Sequence, residues 1–187
     1  MPLPPPTDRR LVHTRQIDCR GYHREDGLWD IEGSLIDTRT EAMETFGRGK
    51  IAPGEHLHEM WLRMTVDADL KVKAIDAKTV HAPYPACPNF PDRFGKLVGQ
   101  RIEPGWTVKV RLLLGGRWGC THLVELLGPL ATTAVQTVYA WRGETRGHLE
   151  DSVAPPSDFI DTCHSLAAGS EVVRRLWPKN GDGKKSR

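Results

Sequence analysis

The sequence predicts an α+β fold, with an N-terminal antiparallel meander followed by helices packed on one face. Three observations carry this. Met60, Leu62, Met64 and Val66 alternate with Trp61, Arg63, Thr65 and Asp67, a period of two. Leu123, Leu126, Leu127, Leu130, Ala134 and Val138 recur at spacings of three and four, a helical period. The strand-like segments come first and the helical ones after, an order that disfavours a βαβ sheet.

Each element has its own reason. Residues 1–10 read as a disordered lead, because the prolines of MPLPPPTDRR hold the chain extended. Leu11–Cys19 and Leu28–Asp37 read as strands, the second with Trp29, Ile31 and Leu35 on one face. The stretch Val66–Leu70 reads as a hairpin turn, and Leu70–Val80 as the returning strand. Pro83, Pro85, Pro88 and Pro91 then break regular structure around Cys87. Asn89 or Asp92 is placed to cap a short helix ending near Gly99, and Pro104-Gly105-Trp106 opens another that runs to Gly115-Gly116. The strongest helix spans Thr121 to about Trp141, and Pro129 either kinks it or restarts it. A polar linker, Gly143–Ser157, leads to a last short helix near Cys163–Trp177. One domain over 11–178 and a basic tail over 179–187 complete the expectation.

Bulk properties narrow the function classes. The 187 residues are 39% hydrophobic and 27% charged, and the net charge of +2 is too small for a nucleic-acid-binding face. No segment approaches the roughly 18 apolar residues that a membrane helix requires, and no signal peptide is visible. The expected setting is cytoplasmic and reducing. The expected partners are a small-molecule substrate or another protein, with neither nucleic acid nor membrane, and a homo-oligomer is compatible. Cys19, Cys87, Cys120 and Cys163 are then free thiols or ligands rather than a disulfide frame.

The chemistry-bearing residues fall in two sets. Cys87 lies in the proline-rich turn, Cys120 and His122 at the start of the long helix, and Cys163 and His164 at the start of the last one. A helix N-terminus lowers a thiol pKa, and thiolate with imidazole suits zinc or iron, including an iron-sulfur centre. No C-x-x-C pair is present, and buried cysteines acting as small hydrophobes explain the same residues. In the first half, Asp26, Asp30 and Glu32 share one strand face by even spacing, as do His56 and His58. Such a set holds a hard or borderline ion or supplies an acid and a base, or it is simply the solvent face of a sheet.

Together, Asp26-Gly-Leu-Trp29-Asp30-Ile-Glu-Gly33, Pro53-Gly-Glu-x-x-His58-x-Met60, the turn at Cys87, Gly119-Cys-Thr-His-Leu123 and Asp161-x-Cys-His164 resemble an uncharacterised bacterial family of unknown function. The resemblance spans about residues 10–178. It singles out Asp26, Trp29, Asp30, His58, Cys87, Cys120, His122, Cys163 and His164, and it implies a setting in bacterial catabolism. A weaker, architectural likeness is to iron-sulfur scaffold proteins of the NifU/IscU and SufE type, with Cys87 and Cys120/His122 at the cluster positions. Prolines stand here in place of the scaffolds' glycine-cysteine-glycine loop.

Three functions follow as expectations. The first is a metal- or iron-sulfur-binding domain using Cys87, Cys120, Cys163 and His122 or His164. The second is an enzyme acting on a small carbonyl or thioester substrate, with Cys120 as nucleophile and His122 or His58 as base. The third is a non-catalytic partner-binding subunit presenting some of its six tryptophans.

Overall fold

The computed structural model describes residues 3–89, 91–145 and 159–178. Four long strands, β1 (His13–His23), β2 (Trp29–Arg39), β5 (His56–Val66) and β6 (Val72–His81), form an antiparallel sheet in the order β1-β2-β5-β6. The connection from β2 to β5 carries a small hairpin of β3 (Met43–Thr45) and β4 (Gly49–Ile51), which the sequence did not announce. Two 3-10 segments, Cys87–Asn89 and Pro91–Leu97, occupy the proline-rich stretch where a short helix was expected. Then come α1 (Trp106–Leu114), α2 (Thr121–Thr145) and α3 (Glu171–Leu176). The fold is α+β, strands before helices, as the residue periods require.

Local chemistry sets the turns. Between β1 and β2, Gly27 takes a φ of 81° and the Asp26 carboxylate accepts from the Leu28 N–H at 3.2 Å. Between β5 and β6, Asp67 Oδ1 accepts from the amides of Asp69 and Lys71. Leu70 has a positive φ of 61° there, and its side chain is buried as an anchor. The returning strand accordingly starts at Val72.

The expected helix near Cys163–Trp177 is shorter: a 3-10 turn over His164–Leu166, then α3, capped by Ser170, whose hydroxyl accepts from the Val173 N–H. α2 runs unbroken through Pro129 and on to Thr145, into the stretch expected as linker. Beside Pro129, the buried Trp106 indole N–H donates to the Leu127 carbonyl at 3.0 Å. The rest of that linker lies outside the described residues, except its neighbour segment from Phe159 onward, and so does the basic tail.

The core lies between the sheet's inner face and the helices. Ile31, Leu35, Met60, Leu62 and Met64 meet Leu123, Leu126, Leu127 and Leu130 of α2, all almost fully buried. Full burial of each such side chain contributes roughly 1.5–3 kcal/mol before entropy. α2 lies across β1, β2 and β5. It packs tightly over β1, where a Cβ on Gly21 would overlap the Thr137 side chain down to its Cβ. Gly21→Val is therefore expected to destabilise the protein by about 1–3 kcal/mol, read as a lowered urea midpoint. An unchanged midpoint would show that α2 does not pack this tightly.

Candidate functional site

The inward phase of β2 ends on a charge. Ile31, Gly33 and Leu35 face α2, and two residues on, Asp37 faces the same way with its side chain 1% exposed. Its cross-strand neighbours are Arg15 on β1 and His58 on β5. His122, the second residue of α2, comes down over the same point, its ring centroid 3.9 Å from that of His58.

The buried carboxylate is fully engaged. Arg15 donates through Nε to Oδ1 and through Nη2 to Oδ2, both at 2.8 Å. His13 Nε2 lies 3.1 Å from Oδ1, and His58 Nδ1 lies 2.9 Å from Oδ2. His122 Nε2 stands 3.9 Å from Oδ2. Arg15 also reaches Glu125 of α2 at 2.6 Å, tying helix to sheet. Burial works against ionisation of Asp37, but the hydrogen bonds and charge of Arg15, with His13 and His58, outweigh it. Together they hold the carboxyl well below the usual range. An ionised carboxylate only accepts, so the His58 proton sits on Nδ1 and its Nε2 is bare.

Asp37, His58 and His122 each offer one ligand atom, and the three atoms lie within 4.8 Å of one another. Side chains of this chain therefore form a group able to hold a metal ion. Burial pushes the His58 imidazole pKa down, against the pull of Asp37. Burial, then the nearby His58 and Arg15, push His122 down to about 4. Both rings are neutral at pH 7, the form that binds metals.

The unfolded His122 titrates near 6.5, above its folded value. As pH falls from about 6.5 towards 4, the unfolded chain takes up a proton that the folded chain refuses. With chelator present, the protein is expected to lose on the order of 2–3 kcal/mol over that window through this residue. His122→Gln should flatten this part of the pH profile of urea unfolding; equal slopes in the two proteins would contradict it.

The other expected residues distribute differently. Cys120 is buried at the start of α2, with Sγ 3.9 Å from His122 Nδ1. Burial pushes the Cys87 thiol up; the Tyr84 amide hydrogen bond opposes this, and the nearness of Cys120 adds to it. Cys163 and His164 are exposed, and Cys163 borders a groove with Phe159, Leu166 and the middle of α2 around Gly128–Gln136. That is eight or more residues along the helix from Cys120, roughly 12 Å at 1.5 Å per residue. Among the described residues, no group of three converging ligand atoms includes a cysteine. The expected gathering of Cys87, Cys120 and Cys163 is thus replaced by carboxylate and imidazole, with His122 the one shared member. Cys19 lies half-buried against Gly33.

Among the described residues, Asp26, Asp30 and Glu32 belong to no group of three converging ligand atoms, although Asp26 and Asp30 meet at Arg24. Asp26 is in the β1–β2 turn rather than on the strand, and it pairs with Arg24. Asp30 accepts from Thr65 and Arg24, and Glu32 from Arg63. Nor do His56 and His58 share a face. Asp37 pairs with His58 but Thr38 with His56, so Leu57 is an additional residue, a β-bulge, and the phase of β5 inverts there. His58 turns inward to Asp37, and His56 turns to Glu59.

Sequence reasoning missed Asp37, Arg15 and His13. The signal was present: the phase that buries Ile31 and Leu35 also buries Asp37, and a buried carboxylate demands a cation.

No curated protein and no solved structure matches the chain. The family model for a protein of unknown function (DUF2889) matches residues 13–136. That span runs from the first residue of β1 into α2; it contains Asp37, His58, Cys120 and His122 and leaves out Cys163 and His164. The chain belongs to the DUF2889 family, whose function is unknown.

Proposed function

We propose that this protein binds a divalent transition-metal ion, zinc or iron, through Asp37 Oδ2, His58 Nδ1 and His122 Nε2. The observation that carries the reading is a distance argument. Two ligand bonds of about 2.0–2.1 Å at a tetrahedral angle put donor atoms roughly 3.3 Å apart. The two imidazole nitrogens stand at 2.9 and 3.9 Å from Oδ2, on either side of that value. Shifts of a few tenths of an ångström would seat an ion in place of the His58–Asp37 hydrogen bond. The His58 proton would then move to Nε2, and Arg15 would stay as the outer partner that orients the carboxylate.

Two imidazoles and one carboxylate leave coordination positions open, the pattern of a catalytic rather than a purely structural ion. The ion would polarise a carbonyl or a water there, which fits metal-assisted chemistry on a small oxygen-bearing substrate. Elemental analysis of anaerobically purified protein, with zinc titration against a competing chelator, tests this. An equivalent of zinc or iron that His58→Ala loses is expected; full binding by His58→Ala, or no binding by either route, would overturn the reading.

A second reading keeps the Cys120–His122 contact at 3.9 Å as a thiol–imidazole pair for covalent chemistry. It predicts activity abolished by iodoacetamide and indifferent to chelators, the opposite pattern.

A further inference from the structure

We infer that the opposite, outer face of the sheet carries a second ion site, made by His56 Nδ1, His81 Nδ1 and Glu59 Oε2 and suited to a borderline divalent cation such as zinc or copper(II). His56 and Glu59 lie on β5, on either side of the bulge, and His81 is the cross-strand neighbour of Glu59 at the end of β6. Both imidazoles turn Nδ1 to one and the same oxygen, at 2.8 and 2.9 Å, and the two rings stand edge-on with centroids 5.7 Å apart. All three ligand atoms lie within 4.8 Å of one another.

The surroundings favour an ion over a plain hydrogen-bonded cluster. Glu59's other oxygen accepts from the Trp61 indole N–H at 3.1 Å, which fixes the plane of the carboxylate. The backbone is held as well, since Arg48 Nη1 donates to the His56 carbonyl at 2.7 Å. Charge separates this site from the first. Asp37 already has a permanent cation in Arg15. Among the described residues, the ion pairs of Glu59 are with His56 and His81 only, whose charge depends on protonation. A divalent cation would supply the missing positive charge. The histidines are about 40% exposed, so the ion would keep open positions facing solvent.

This site is independent of the Asp37 reading, and one experiment separates them. Zinc is titrated into wild type, His58→Ala, and a His56→Ala/His81→Ala double variant. Wild type is expected to take two equivalents, and each variant one. Copper(II) is expected to quench Trp61 with the equivalent that the double variant loses, so Trp61→Phe should remove that part of the quenching. If the double variant binds as much zinc as wild type, the inference is overturned whatever His58→Ala does. If His58→Ala alone changes nothing, the Asp37 reading fails and the outer site stands. The exposed histidines can be replaced without opening the core, and an unchanged thermal unfolding curve verifies this.

Discussion

Asp37→Ala is expected to lower the folding free energy by about 3 kcal/mol, the low end of the range for removing one partner of a buried ion pair. The carboxylate is 1% exposed and accepts from Arg15, His13 and His58. Its loss leaves the guanidinium, among the described residues, with Glu125 as its remaining ion-pair partner at the edge of the core. Arg15 is 32% exposed and can regain some water, which keeps the cost from the top of the range. Removing both partners at once, as Arg15→Met/Asp37→Leu, should recover much of the loss, because no buried charge is left unpaired and Glu125, 44% exposed, returns to water. Urea unfolding at pH 7 with chelator present measures both. A loss below about 1 kcal/mol for Asp37→Ala would mean the pair is solvated, in the manner of a surface salt bridge.

The second large effect is on zinc affinity at the inner site. Losing an outer partner that orients a ligand costs about 10–100-fold, so losing a direct ligand costs more than about 100-fold. His58→Ala and His122→Ala are each expected to weaken zinc binding there by more than that factor. Arg15→Gln should fall within the smaller range, since it orients Asp37 without touching the ion. Cys87→Ser and Cys163→Ser should leave the affinity unchanged, because neither thiol joins the converging atoms. Competition with a chromophoric chelator, run in the His56→Ala/His81→Ala background, reads the inner site alone. Full affinity in His122→Ala, or a large loss in Cys163→Ser, would return the ligand set to the cysteines.

The fold was legible because its signals are local. The alternation over 60–67 and the three-four spacing over 123–138 report the period of one element each, and both elements stand where the residues put them. The site was legible only in part. His58 and His122 stood out as motif residues, yet the partner that joins them is Asp37, whose importance comes from burial rather than from any motif. Even spacing placed His56 beside His58, but one additional residue at Leu57 sends them to opposite faces, and no local pattern marks that bulge. Glu59 and His81 meet through a register between β5 and β6 that is set by strand pairing, not by sequence separation. The cysteines misled because helix starts favour thiolates in general, while their convergence depends on where α2 and the segment around Cys163 sit on the sheet.

Crystals of the His56→Ala/His81→Ala variant grown with zinc, measured on both sides of the zinc absorption edge, put the metal-binding reading to its most direct test. The expected result is one anomalous peak about 2.0–2.2 Å from Asp37 Oδ2, His58 Nδ1 and His122 Nε2. A peak bonded instead to the sulfur of Cys87, Cys120 or Cys163 at about 2.3 Å, or no peak beside Asp37, would contradict it.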